Sequence, residues 1–265
     1  MASGNLFTLK GRVALVTGGG GHIGRAICLR LAEAGARVLV NGRSCEKAEA
    51  VVKAIVAAGG DAETALFDVM REPDVKTYFD GLQTKALKVN ILVNNANLGF
   101  DGDLLTASAD DIGRAADMTA GSAARCLRAA LPLLRNAVRD DGQASVINVG
   151  SMYGHVSPDQ RIYGAPADVS SAAYGAAKAA LSQFSRYAAV RFGREGIRVN
   201  TISPGPMPAP AALTQSFKAT LENKVPMGRI GTPDEVAGPV VFLAGDAAAY
   251  VNGADLLVDG GWTAW

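Results

Sequence analysis

The sequence predicts a doubly wound parallel α/β sheet of about seven strands, helices on both faces, folded as a single domain over 1–265. Three observations carry that expectation. Seven short apolar runs recur from end to end, and stretches long enough for helical crossovers separate them. The 31 glycines gather at the ends of those runs rather than in a low-complexity tract. Runs buried on both faces are what parallel strands require, and each parallel connection needs a crossover.

In order, the runs are Val13–Val16, Val38–Val40, Thr64–Phe67, Ile91–Val93, Ser145–Val149, Val199–Ile202 and Leu256–Val258. A helix opens after the glycine-rich turn that follows the first run. Glu46–Ala58, Ser108–Arg139, Ala172–Arg194 and Pro233–Ala244 also read as helices. Pro132 is expected to bend or interrupt the second of these, because proline removes a helix hydrogen bond and crowds the preceding turn.

Two stretches break the rhythm. Gly154–Ser171 is rich in Pro, Gly, Asp and Ser, and Pro204–Pro210 holds four prolines in seven positions. Both follow strands at the edge where open α/β sheets bind ligands, so 154–173 and 204–223 are expected to be substrate-side loops.

Bulk properties exclude several function classes. The net charge is +1, with 26 basic and 25 acidic residues, so nothing draws the chain to nucleic acid or an anionic membrane. No uncharged apolar stretch reaches the length of a membrane span, and Met1–Lys10 lacks the apolar run of a secretion signal. Cys28, Cys45 and Cys126 are an odd set without Cys-x-x-Cys spacing, which argues against a disulfide framework. With only His22 and His155, no metal site is expected. The reading is a reduced, cytoplasmic protein.

Chemistry gathers in two places. Tyr174-Gly-Ala-Ala-Lys178 sets a phenol and an ammonium four residues apart, on one face of a helix. A fixed cation there favours the phenolate, which makes a general acid/base. Thr17-Gly-Gly-Gly-Gly-His22-Ile23-Gly24 follows the first run and opens a helix. Such a turn lets backbone approach a pyrophosphate, and the helix N-terminus offers free N–H groups to the anion.

On these motifs the chain, from about Leu9 to its end, resembles the classical short-chain dehydrogenase/reductases, which share a Rossmann-like fold. The resemblance implies a dinucleotide site at Gly18, Gly21, His22, Ile23 and Gly24, with His22 standing where a glycine is usual. It extends the site to Asp68 and Val69 at the adenine, Asn95 and Ala96 in Asn94-Asn95-Ala96, and Pro204-Gly205 beside the nicotinamide. It implies Ser151, Tyr174 and Lys178 as catalytic residues, with Lys178 binding the nicotinamide ribose and lowering the tyrosine pKa. The tetrad asparagine of the family falls on Thr119. Tyr174 follows Ser151 by 23 residues, a longer gap than is common there, and the extra segment, including Arg161 and Tyr163, is expected to wall the substrate.

Cofactor choice is expected to lie at Val40-Asn41-Gly42-Arg43-Ser44. Neutral Asn41 does not repel a ribose phosphate, and Arg43 can pair with one, so NADP is favoured over NAD. The expected activity is hydride transfer between NADP(H) and a small-molecule ketone or secondary alcohol, of sugar, polyol or hydroxy-acid type. The alternatives are a 3-oxoacyl-thioester reductase and a catalytically weak dinucleotide sensor. A serine hydrolase is disfavoured: Ser151 lacks the Gly-x-Ser-x-Gly elbow, and His155 is a lone loop histidine. A homotetramer or dimer is also expected, with the C-terminal Trp262 and Trp265 exposed to a neighbouring subunit.

Overall fold

Val16 lies beside Val40 on one side and Val93 on the other, which makes the first strand the pivot of the sheet. The computed structural model describes residues 5–97, 104–164, 169–209 and 213–265. Strands β1 (Val13–Val16), β2 (Arg37–Gly42), β3 (Ala62–Leu66), β4 (Ile91–Asn94), β5 (Ala144–Val149), β6 (Ile197–Pro204) and β7 (Asp255–Val258) form one sheet in the order β3-β2-β1-β4-β5-β6-β7. Every pairing is parallel. The chain builds outward from β1 through β3, then crosses back to β4. The crevice beyond the C-terminal ends of β1 and β4 is therefore the topological switch point, where such sheets take ligands.

Alternation along the strands divides the core in two. Ala14, Val16, Val38, Val40, Val93 and Ile147 face helices α1 (His22–Glu33), α2 (Cys45–Ala57) and α8 (Pro233–Ala244). Leu15, Leu39, Leu92, Val146 and Val199 face α3 (Glu72–Thr84), α5 (Ser122–Asp141) and α6 (Ala172–Phe192). Leu15, Leu92 and Ile147 are fully buried; cutting such a side chain to alanine costs about 2–5 kcal/mol. Among the described residues no helix is long and apolar enough to cross a membrane.

Several expectations change in detail. The helix read as Ser108–Arg139 is three pieces: α4 (Ala109–Ala116), a π turn (Asp117–Gly121) and α5. Ser108 starts it with a capping box to Asp111. Pro132 does not interrupt α5, which runs through it to Asp141. Buried Leu127, Ala130, Leu133, Leu134 and Ala137 on both sides of the proline pack the helix onto the sheet, and this outweighs the lost bond. The segment 204–223, expected as loop, contains most of α7 (Gln215–Lys224), because the prolines end at position 210 and Thr214 caps the helix by accepting from the Phe217 N–H. Trp262 is not exposed: it packs with Met152, Leu221 and Val225 in a separate cluster, while Trp265 stays open.

Candidate active site

The glycine turn is held by side chains from the next strand end. Thr17 Oγ1 accepts the N–H groups of Asn95 and Ala96 at 2.9 and 3.0 Å. Asn95 Nδ2 donates back to the carbonyls of Thr17 and Gly18 at 2.9 and 3.1 Å. Gly18 has φ +62°, and a Cβ there would sit 2.9 Å from Ala96 Cα; one on Gly24 would meet the Gly18 carbonyl oxygen at 2.2 Å. Only glycine fits either position. Helix α1 begins at His22, and its N-cap Gly21 supplies no side-chain cap. The first-turn N–H groups therefore face the cleft, which suits an anion. This cradle, which a Cβ would fill, fits a dinucleotide pyrophosphate.

At the far end, Asn41 is fully engaged. Its Nδ2 donates to the carbonyls of Ala65 and Phe67 at 2.8 and 3.1 Å, and its Oδ1 accepts from Gly18 N at 3.3 Å. The neutral residue thus ties β2, β3 and the turn together rather than meeting a ligand. Exposed Arg43 has no carboxylate partner among the described residues and lines the cleft with Ser44. Lys47, which the linear sequence did not single out, lines it too. Ser44 caps α2 by accepting from the Lys47 N–H, and the lysine packs against the glycine loop: a Cβ on Gly20 would lie 3.0 Å from Lys47 Cβ. A smaller recess joins Gly18, Arg43, Asp68 and Val69, and the Asp68 carboxylate accepts from Met70 N at 2.9 Å.

Ser151 follows β5 by two residues, and Tyr174 lies in the first turn of α6, whose N-terminus is capped by Ser171 accepting from Ala173 N and Tyr174 N. The Ser151 hydroxyl lies close enough to the Tyr174 phenol to favour its ionised form, while Ser151 Oγ accepts from Tyr153 N at 3.1 Å. Lys178, one turn along, is buried, and its Nζ donates to the Val149 carbonyl at 2.7 Å. Burial pulls the lysine down to about 8. The tyrosine is not lowered: burial raises it above its ordinary value, opposed by the Ser151 hydroxyl. Lys178 Nζ lies over the tyrosine ring, 5.6 Å from its centre, while its hydrogen bond goes to the strand carbonyl.

Thr119 lies on the π turn that packs against α6. It is buried, and its Oγ1 has no partner among the described residues. Such an orphaned hydroxyl at a π bulge marks a position of functional interest. A polar chain runs nearby: Asn94 Nδ2 donates to Asn148 Oδ1, Asn148 Nδ2 to Ser185 Oγ, each at 2.8 Å.

The glycine turn, Arg43 and the Ser151, Tyr174 and Lys178 set share one cleft of about 1220 Å³, larger than the ~300–1,000 Å³ of an ordinary small-molecule pocket; Thr119, Asp68 and Val69 do not line it. It contains Gly18, Gly21, His22, Ile23, Gly24, Arg43, Ser44, Asn95, Ala96, Ser151, Tyr174, Lys178, Pro204 and Gly205. Tyr163 also lines it. Arg161, expected beside it, does not: its side chain is 87% exposed and bonded to Asp159 at 2.8 Å. Nor is His155 alone. Its Nε2 lies 3.0 Å from Asp255 Oδ2, and Ser203 Oγ donates to Asp255 Oδ1 at 2.7 Å. The same Nε2 also lies 3.4 Å from Ser203 Oγ, so the imidazole does not bridge serine and aspartate through opposite ring nitrogens as a triad demands. Residues 98–103, 165–168 and 210–212, parts of both expected substrate segments among them, lie outside the described residues.

The parallel sheet, switch-point cleft and glycine turn define an α/β oxidoreductase of the dinucleotide-dependent kind. Comparison with known proteins agrees. The family described as enoyl-(acyl carrier protein) reductase matches residues 20–263. A rhamnolipid-biosynthesis 3-oxoacyl-(acyl-carrier-protein) reductase of Pseudomonas aeruginosa is 35% identical over 261 residues, 97% of this chain and 98% of that protein. The structure of a gluconate 5-dehydrogenase from Burkholderia cenocepacia in complex with NADP and tartrate superposes with a TM-score of 0.86 at 30% identity, covering 98% of each chain. The Pseudomonas aeruginosa RhlG/NADP active-site complex gives 0.87 at 34% identity, over 97% of this chain and 98% of that one. The chain belongs to the short-chain dehydrogenase/reductase family of NAD(P)-dependent oxidoreductases.

Proposed function

We propose that the protein moves a hydride between NADP(H) and a ketone or secondary alcohol, with Ser151, Tyr174 and Lys178 as its catalytic residues. The observation that carries this reading is the convergence of those three side chains with the glycine turn in one cleft. NADP as the cofactor rests on Arg43 and Lys47, two cations beside the second strand, and on the NADP complexes among the similar structures. A ribose 2′-phosphate would pair with these cations, while Asp68 and Val69 border the adenine and Asn95, Ala96, Pro204 and Gly205 the nicotinamide side.

When bound, the nicotinamide supplies or accepts the hydride. The protein's part is orientation and proton transfer. Ser151 Oγ and the Tyr174 phenol hold the substrate oxygen between them, and the phenol gives it a proton on reduction or takes one on oxidation. Lys178 would hold the nicotinamide ribose, and its charge would favour the phenolate against the rise that burial gives the tyrosine. Residues 1–265 act as one catalytic unit, with 154–173 and 204–223 on the substrate side. Self-association is part of the same reading: Tyr187 and Val190 on α6 are 70% and 85% exposed, an apolar face suited to a second copy.

The deciding experiment follows NADPH and NADH oxidation by absorbance against keto sugars, keto acids, simple ketones and 3-oxoacyl thioesters. Turnover with NADPH that disappears in Tyr174→Phe supports the reading, and NADPH binding without turnover of any carbonyl defeats it. A 3-oxoacyl-thioester substrate is the second reading, favoured by the apolar wall of Met207, Phe217 and Leu221. The same panel separates the two.

A further inference from the structure

Two phenols meet at the substrate end of the cleft. Tyr153 and Tyr163 both line it, and their hydroxyl oxygens are 2.9 Å apart. Tyr163 is braced by the Phe217 ring, with centroids 5.7 Å apart. Tyr153 follows Ser151 by two residues and packs on the cluster of Met152, Leu221, Val225 and Trp262. The pair is thus a fixed polar point beside the apolar Met207, Phe217 and Leu221. Within it one hydroxyl donates to the other, which leaves one proton and spare lone pairs for a ligand. Burial, with Tyr163 alongside, pushes Tyr153 further from ionisation, so the pair meets a ligand as neutral hydroxyls.

Neither Arg161 nor Lys224, the cations near this end, lines the cleft, and both are paired with Asp159. Arg161 points to solvent and is bound by Asp159 through two nitrogens. Lys224 pairs with the same carboxylate and lies over the Trp262 ring. Arg43 and Lys47 belong to the end of β2, three strand positions from β5. Segments 98–103, 165–168 and 210–212 contain no lysine or arginine. Lys178 is the exception, and its ammonium is taken by the Val149 carbonyl and, in the reading above, by the nicotinamide ribose. A carboxylate or phosphate placed against the tyrosines would lose its water without gaining a partner, a heavy penalty for a full charge.

We propose that the substrate is an uncharged ketone or secondary alcohol with an apolar body, carrying a hydroxyl or second carbonyl near the reacting carbon that Tyr153 and Tyr163 read by hydrogen bonding. This rests on the hydride-transfer reading above. It also separates the chain from hydroxy-acid substrates.

The test uses the full-length protein, NADPH and two matched pairs. The first is 4-oxocyclohexanecarboxylate against its methyl ester, which differ in charge. The second is 2-hydroxycyclohexanone against cyclohexanone, which differ in the hydroxyl. The ester is expected to exceed the carboxylate in kcat/KM by about tenfold or more, and the hydroxyketone to exceed cyclohexanone by about two- to tenfold, the worth of one ordinary hydrogen bond. Tyr163→Phe should collapse the second ratio toward one while leaving the first in place. A preference for the carboxylate, or a hydroxyketone ratio untouched by both Tyr163→Phe and Tyr153→Phe, overturns the inference and leaves hydride transfer standing. Absence of turnover with all four compounds, in a protein that turns over another member of the wider panel, overturns this inference alone; absence across the wider panel as well overturns both.

Discussion

Lys178 Nζ donates to the Val149 carbonyl at 2.7 Å, so the buried ammonium is fastened to β5 rather than to the tyrosine one turn away. The charge is costly where it sits. Burial lowers the lysine from 10.5 to about 8. The folded protein therefore sheds this proton before the unfolded chain does. The penalty is full below about pH 8, where both states are protonated, and is relieved as pH rises from about 8 to 10.5.

Lys178→Met should therefore raise the melting temperature of the cofactor-free protein at neutral pH by several degrees, through a stabilisation of ~1–3 kcal/mol after loss of one hydrogen bond. The gain should shrink as melts are repeated toward the upper end of that window. A lower melting temperature at neutral pH would mean that the Val149 contact outweighs the burial cost.

Tyr174→Phe should cut turnover by about 10²–10⁴-fold with nicotinamide cofactor affinity nearly intact, since it removes the proton and little else. Fluorescence titration of NADPH alongside steady-state rates separates the two effects. Unaltered turnover would remove Tyr174 from the chemistry.

Arg43→Ala and Lys47→Ala should each weaken NADPH by about tenfold or more while changing NADH little, because a charge-assisted contact to phosphate is worth more than a neutral one. Dissociation constants for both cofactors are the readout. Equal losses for NADPH and NADH would place the 2′-phosphate elsewhere.

Thr119→Val replaces a buried, unpartnered hydroxyl with a methyl of the same shape. Stability should hold or rise slightly, because no satisfied bond is lost. Turnover should fall severalfold and its pH profile should shift if the hydroxyl serves proton transfer behind Lys178, and Thr119→Asn should shift that profile the other way. A rate and profile unchanged in both variants would leave Thr119 a packing residue.

The fold was legible because periodicity alone encodes it. Seven apolar runs became seven parallel strands, with ends moved by a few residues, as where Thr64–Phe67 became Ala62–Leu66. What misled were signals read locally. Pro132 was expected to bend or interrupt α5, yet packing on both sides carries the helix through it. Four prolines hid α7, which starts as soon as they end. Trp262 looked free at a chain end and proved to close a cluster with residues over a hundred positions away in part.

By itself the sequence determined the sheet, the glycine turn and the spacing of Tyr174 and Lys178, since each is a short-range pattern set by backbone geometry and side-chain period. Only the tertiary structure decided which charges reach the cleft. It packed Lys47 against the glycine turn, bound Arg161 to Asp159 in solvent, fixed Lys178 on Val149 and set Tyr153 against Tyr163. Those choices depend on contacts between elements distant in the chain, where burial and the nearest available partner settle each charge.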